Sequence, residues 1–421
     1  MSLEYGEGIL DYFVDGYKWD DEMQISGPCD WMTHEISLSA GVHSIHWRYR
    51  GYGNGWVDVS DIFAENGLKN IFPASYSSVR VVAINPNTRE LRGDLFAGWS
   101  SLEAIRIPAG VTGFGRNTFM GCKSLEMVAV PTGLQTVGGG CFLGCESLRR
   151  VEVSCMEEWL GISFENAMAN PLSRGAILCV GGNEVTELVI PEGTTEIGEY
   201  AFAGGQFTSV SMPNSVTNVA ETAFVGCTNI AAVTVPSWVN VASIFADSKG
   251  KIACVAISAQ GDVPASAYAG CSALKRVDVA SMADWLSLGF ANADANPLHA
   301  GAVLYVGGKE VKKLMIPEGT RRIGEYAFVD GQFTSVTIPN SVTNVAETAF
   351  VGCSNVVSVD VNGGLCCRFP LCDVFSEEWM PIGNGQYRSK TIGHNESTEM
   401  NVRVRLPNPT FQEKRENSSI A

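Results

Sequence analysis

The chain is short of the residues that most catalytic chemistry needs. It holds five histidines in 421 residues, and the one close pair, His43 and His46, lies in a strand-like stretch where a spacing of three points them to opposite sides. A metal site on them is not expected, nor is a cofactor. No Cys-x-x-Cys pair occurs, which removes a zinc ribbon or a redox dithiol, and no Gly-x-Ser-x-Gly elbow occurs. No apolar run reaches the 18 residues of a membrane-spanning helix. Cations are few: 29 Lys and Arg face 45 Asp and Glu, for a net charge of −16. A partner with a phosphate backbone needs clustered cations, so nucleic acid is excluded. The first residues, Met1-Ser2-Leu3-Glu4-Tyr5, lack the basic and apolar regions of a secretion signal.

What is abundant is repetition. Val79–Ser101, Leu102–Ser124 and Leu125–Ser147 align without gaps, with Phe96, Phe119 and Phe142 in register at a constant spacing. The pattern returns at Leu188–Phe207, Phe207–Asn229, Leu314–Phe333 and Phe333–Asn355. A second periodicity lies above the first: Arg150–Cys227 matches Arg276–Cys353 at an offset of 126, with about 54 of 78 positions identical. Such duplication of multi-repeat blocks is tolerated by a solenoid, because each unit contacts only its neighbours. The 13 cysteines stand mostly in a repeated Gly-Cys (Cys122, Cys145, Cys227, Cys271 and Cys353), which reads as a stacked small buried residue and not as a disulfide framework.

Each unit has a physical reading. In Leu102–Pro108, Ile105 and Ile107 point inward while Ala104 and Arg106 point outward, and Pro108, lacking an N–H, ends the strand. Phe119 is the large apolar anchor of the segment that follows, on the convex side. Two longer units interrupt the rhythm. Met156–Phe164 and its copy Met282–Phe290 predict short amphipathic helices, started by Ser154 with Glu157 and by Ser281 with Asp284. Asn170-Pro171-Leu172 and Asn296-Pro297-Leu298 follow, then Ala176–Gly182 and Ala302–Gly308 as strand and hairpin turn. The carboxylates Glu157-Glu158 become Ala283 and Asp284 in the copy and read as a solvated face, not an acid–base pair.

The phrases Ile197-Gly198-Glu199-Tyr200-Ala201-Phe202, Ile323-Gly324-Glu325-Tyr326-Ala327-Phe328 and Ile338-Pro339-Asn340-Ser341-Val342-Thr343 resemble those of the BspA-like leucine-rich repeat family. The likeness covers roughly Ile71 to Asp360. It implies a curved β-rich solenoid with short strands on the concave face and short helices or turns on the convex face. It also implies extracellular or cell-surface display, adhesion, and a host, matrix or cell-surface protein as partner. The family has no catalytic residues to carry over, so no enzyme is expected. Ile230–Gly270 departs from the period, with Tyr268 in place of the usual Phe.

The ends differ. Residues 1–66 hold four of the nine tryptophans, Trp19, Trp31, Trp47 and Trp56. Ile45, Trp47 and Tyr49 alternate with polar residues as in a half-buried strand. This segment resembles part of a jelly-roll sandwich, too short to be whole, hence a truncated domain or a small all-β cap. Its tryptophans either pack a core or, at Trp31 and Trp56, stack on sugar rings; the second role would make the chain a carbohydrate-binding or spacer appendage of a larger secreted, even enzymatic, protein. Residues 361–421 lose the repeat and read as irregular, with a polar, disordered end. On the solenoid, residues 71–360, the candidate binding row is the concave one: Arg106, Arg150, Glu152, Ser209, Ser211, Arg276, Asp278, Ser335 and Thr337. It is small, mixed in charge and free of aromatics.

Overall fold

The structure, a computed structural model, describes residues 80–84, 88–258, 261–356 and 358–362. It also describes the backbone of the strands Gly8–Val14, Tyr17–Lys18, Met23–Ile25, Ile45–Gly51, Trp379–Gly383, Gln386–Ser389 and Arg403–Arg405. The chain is a β-solenoid of about 12 turns with little helix. It divides into two compact units: residues up to Val210 with Ser215–Ile230, and Ser211–Asn214 with residues from Ala231 onwards.

In the first unit each coil contributes two short strands. The longer ones, Met127–Ala129, Arg150–Val153 and Ile177–Val180, pair in parallel, as do Val81–Ala83 and Ala104–Arg106. The shorter ones, Glu90–Leu91, Gly113–Phe114, Thr136–Val137 and Ser163–Phe164, form a second parallel ladder. Alternation decides which side is buried. Ile105 and Val128 are interior while Ala104, Arg106, Met127 and Ala129 are exposed, because a pleat sends neighbours to opposite faces. The second unit repeats the plan with Ala232–Val235, Cys254–Ile257, Arg276–Val279 and Val303–Val306, and again with Lys313–Met315, Ser335–Ile338 and Ser358–Asn362.

The core is a stack of rings. Phe96, Phe119 and Phe142 lie face to face with centroids 5.6 and 5.5 Å apart, and each is at most 2% exposed. Phe202 stacks on Phe224 at 5.3 Å and Phe328 on Phe350 at 5.2 Å. Tyr268 takes the ring position where Phe is missing, and is 2% exposed. The repeated cysteines are free thiols beside this stack. Cys122 Sγ donates to Phe96 O, Cys145 to Phe119 O and Cys227 to Phe202 O, at 3.2, 3.2 and 3.1 Å, tying each coil to the one before. The glycine before each thiol is required: Gly144 has φ +79°, and a Cβ there would meet the Gly121 backbone at 3.4 Å.

The long units show why they break the period. In a regular coil the N–H of the core Phe donates to the carbonyl just before the next core Phe: Phe96 to Thr118, Phe119 to Cys141, Phe202 to Ala223. Ala201 precedes Phe202, but the long unit before it has no such Phe. Side chains supply the donors: Trp159 Nε1 and Asn170 Nδ2 both reach Ala201 O at 2.9 Å, and Asn170 also reaches Tyr200 O at 2.8 Å. The copy repeats this with Trp285 and Asn296 on Ala327 and Tyr326. Asn170 and Asn296 are fully buried, and their Oδ1 atoms accept from Leu172 N and Leu298 N.

Two local expectations need correction. The helices are single turns, Met156–Leu160 and Met282–Leu286, and the chain is already extended at Ser163–Phe164 and Leu288–Phe290, where it joins the short-strand ladder. Ser154 is not a cap: the residue at the helix start is Cys155, which makes no side-chain cap bond, while its counterpart Ser281 accepts from Asp284 N at 3.1 Å. Ser154 and Ser281 are one position out of register between the blocks. The hairpin turns appear as expected: Val180 faces Asn183, and Val306 faces Lys309, antiparallel.

At the ends, Gly8–Val14 pairs antiparallel with Tyr17–Lys18, Met23–Ile25 and Ile45–Gly51, so the stretch carrying Ile45, Trp47 and Tyr49 is a strand. Past the repeats, three further strands are described. Trp379–Gly383 and Gln386–Ser389 pair antiparallel, and Arg403–Arg405 adds a parallel strand to Ser358–Asn362. Among the described residues no helix is long and apolar enough to cross a membrane.

Candidate interaction surface

The outward positions of the long strands form the candidate row. Arg106 is exposed, and Arg150, Glu152, Ser209, Ser211, Arg276, Asp278, Ser335 and Thr337 are half-buried, each alternating with a buried aliphatic. Pairing brings Arg150 between Met127 and Ile177, and Glu152 between Ala129 and Cys179. Arg276 lies between Cys254 and Val303, Asp278 between Ala256 and Tyr305. Ser335 and Thr337 lie between Lys313 and Met315 on one side and Ser358 and Asp360 on the other. The candidate tryptophans Trp31 and Trp56 lie outside the described residues.

The charged pairs of the row are engaged within the fold. Arg150 donates from Nε and Nη2 to Glu152 Oε2 at 3.1 and 2.9 Å, and from Nη2 to Gly182 O at 3.0 Å. Gly182 N in turn donates to Glu152 Oε1 at 2.5 Å, so the pair latches the hairpin turn. The bond to Glu152 holds the Arg150 guanidinium pKa above its ordinary value. In the second block Arg276 binds Asp278 through Nε and Nη2, at 2.6 and 2.7 Å, which raises its pKa further, and the guanidinium lies 4.0 Å from the Tyr305 ring centroid. Cys254, beside Asp278, has its thiol pKa pushed up by burial and then by that carboxylate. The row is therefore not free of aromatics: Tyr305 stands on it. Its strand belongs to the long unit, where the single-coil register cannot place it.

Other outward groups are large and apolar. Met127, Val189 and Met315 are 46, 63 and 68% exposed on the same strand positions. Val189 and Met315 are equivalent across the offset between the blocks, a signal that block alignment carries and single-coil alignment does not. On the short-strand side, Arg116 is paired with Glu165, whose Oε2 also accepts from Gly139 N at 2.7 Å, above a shallow recess lined by Phe114, Val137 and Phe164. A second recess lies at Tyr268 and Cys271, where His299 Nδ1 is 2.5 Å from Asp330 Oδ2 and its Nε2 3.4 Å from Asp294 Oδ1. Among the described residues no three His, Cys, Asp or Glu side chains are grouped to hold a metal ion.

A family profile, the BspA type leucine rich repeat region, matches in six copies over residues 57–167, 181–287 and 304–366, which is 281 of the 421 residues. The chain belongs to the BspA-type leucine-rich repeat family. Among solved structures this BspA-type chain is similar to a leucine-rich repeat protein from Bacteroides ovatus, at 15% identity over 84% of this chain and 99% of that one, TM-score 0.35. It is also similar to a leucine rich cell surface protein from Faecalibacterium prausnitzii, at 17% identity over 78% and 86%, TM-score 0.20. No curated protein matches the chain. In this BspA-type chain, Trp159 with Asn170 and Trp285 with Asn296 mark the two long units.

Proposed function

We propose that this chain is a non-catalytic interaction solenoid of a secreted or cell-surface protein, and that it binds a host, matrix or cell-surface protein through the outward positions of its long strands. One observation carries the reading. Within each unit successive coils place side chains in register on a hydrogen-bonded ladder, which makes an extended surface whose outward residues vary in charge while the inward ones stay apolar. The net charge of −16 speaks against a nucleic-acid partner. A leucine-rich repeat solenoid is consistent with protein interaction, and a cell-surface protein stands among the similar structures.

The test is capture by the immobilised full chain from panels of purified matrix proteins, cell-surface proteins and glycans. Specific capture of a protein, lost on Arg106→Glu with Met127→Ser, supports the reading. Capture of glycans alone, lost on Trp31→Ala or Trp56→Ala, replaces it with a carbohydrate-binding appendage.

A further inference from the structure

The duplicated block carries its own comparison. Residues 183–200 and 309–326 are equivalent across the offset between the blocks and take the same local structure: the return strand of the hairpin, the next ladder strand and the following short strand. Their charges are opposed. The first stretch holds five glutamates and no cation; the second holds five cations and three glutamates, a net charge of −5 against +2. Every change responsible lies at an exposed position: Asn183, Thr186, Glu187, Thr195 and Glu196 become Lys309, Lys312, Lys313, Arg321 and Arg322. Among the described residues, Lys309, Lys313, Arg321 and Arg322 form no ion pair, and Lys312 meets Glu310 at 3.7 Å. Nothing in the core asks for the exchange, since Leu188 and Leu314, Ile190 and Ile316, and Ile197 and Ile323 are buried alike.

Resting on the interaction-solenoid reading, we propose that the exposed stretch 309–322, in which Lys309, Lys312, Lys313, Arg321 and Arg322 flank Met315 along the chain, binds an acidic protein segment that carries an apolar side chain. Charge complementarity selects the anion: this is a cationic stretch in a strongly acidic chain, and it draws in anionic partners that the rest of the protein's surface repels. Met315 selects polypeptide over sulfated glycan. It is the most exposed large apolar side chain among the described residues, at 68%, and its flexible thioether packs on an apolar group that a glycan does not offer. Beside it Ser335 and Thr337 are short, leaving the thioether uncovered on that side.

The test uses the full chain and two probes: a labelled peptide alternating Asp-Glu with Leu, and heparin. The decisive variant carries K309N, K312T, K313E, R321T and R322E. Its fold is safe because each new residue already stands at the equivalent place in the first block. Five surface charges lost or reversed, each worth a few-fold, predict a fall in peptide affinity of roughly 30-fold or more and a flatter salt dependence. Met315→Ser should weaken the peptide by about 5-fold and leave heparin unchanged. No peptide binding by the wild type, binding untouched by the five-fold exchange, or binding of heparin alone overturns the proposal. If the exchange variant still captures the protein partner found with the outward row, the solenoid reading stands while this one fails.

Discussion

Replacing Asn170 by alanine tests whether a side chain stands in for a missing coil. Asn170 is fully buried and makes three hydrogen bonds to backbone: Nδ2 to Tyr200 O and Ala201 O, and Oδ1 from Leu172 N. Ala201 O keeps Trp159 Nε1 after the change. Tyr200 O keeps Ala203 N at 3.1 Å, so only the buried Leu172 N is left without the partner it has in the native fold. That orphan costs about 1–3 kcal/mol, and the two lost bonds to carbonyls that keep another donor cost about 1 kcal/mol each, so Asn170→Ala should destabilise by about 3–5 kcal/mol. Asn166 is the control. It is exposed and caps only Ala169 N, at 3.0 Å, so Asn166→Ala should cost about 1 kcal/mol. Urea unfolding gives the totals, and hydrogen exchange should show lost protection between Trp159 and Phe207. Asn296→Ala should repeat the result in the second block, where the same bonds occur. A loss at Asn170 no larger than at Asn166 would refute the reasoning.

Further outcomes follow from the same packing. Phe119→Ala opens a gap between Phe96 and Phe142 and should cost about 3–5 kcal/mol, with exchange protection lost in the adjacent coils only. Gly144→Ala forces a left-handed alanine against the Gly121 backbone and should cost about 1–2 kcal/mol by thermal unfolding. Alkaline stability should reflect the buried thiols. Burial holds Cys145 and Cys353 up at about 12 and Cys271 at about 11, against an ordinary 9.0. The unfolded chain therefore releases these protons first, so stability is full below pH 9 and falls as pH rises from 9 towards 12. Cys145→Ala should flatten that fall in denaturant titrations run at stepped pH.

Most of the architecture was legible because a solenoid writes its core at a fixed interval. Phe96, Phe119 and Phe142 recur at equal spacing since one repeat of the sequence is one coil of the fold, and the inward Val and Ile alternate because a pleat does. The long units were legible as units but not as mechanisms. Trp159 and Asn170 stand well apart along the unit, on a helix turn and in a loop, and only the fold brings both to Ala201 O. The sequence pattern overstates helix length at Met156–Phe164 because amphipathic spacing does not say where a ladder claims the chain. The strand at Arg403–Arg405 is hidden because Val402-Arg403-Val404-Arg405-Leu406 alternates only briefly, with no repeat to reinforce it.

The candidate surface was less legible, for a reason that the two blocks make physical. Between Arg150–Cys227 and Arg276–Cys353, inward differences are conservative, as in Ile162 to Leu288 or Met212 to Ile338. The outward ones reverse charge, as in Glu187 to Lys313 and Glu196 to Arg322. A coil is stabilised through its inward contacts with its neighbours, so outward residues change at almost no cost in stability. Periodicity reports what the coils share, and a shared position cannot distinguish one partner from another. The differences between otherwise equal blocks report the opposite. In this chain they gather the cations along the stretch 309–322 that carries Met315, and not at the self-paired Arg150–Glu152 and Arg276–Asp278 that a coil-by-coil reading selects.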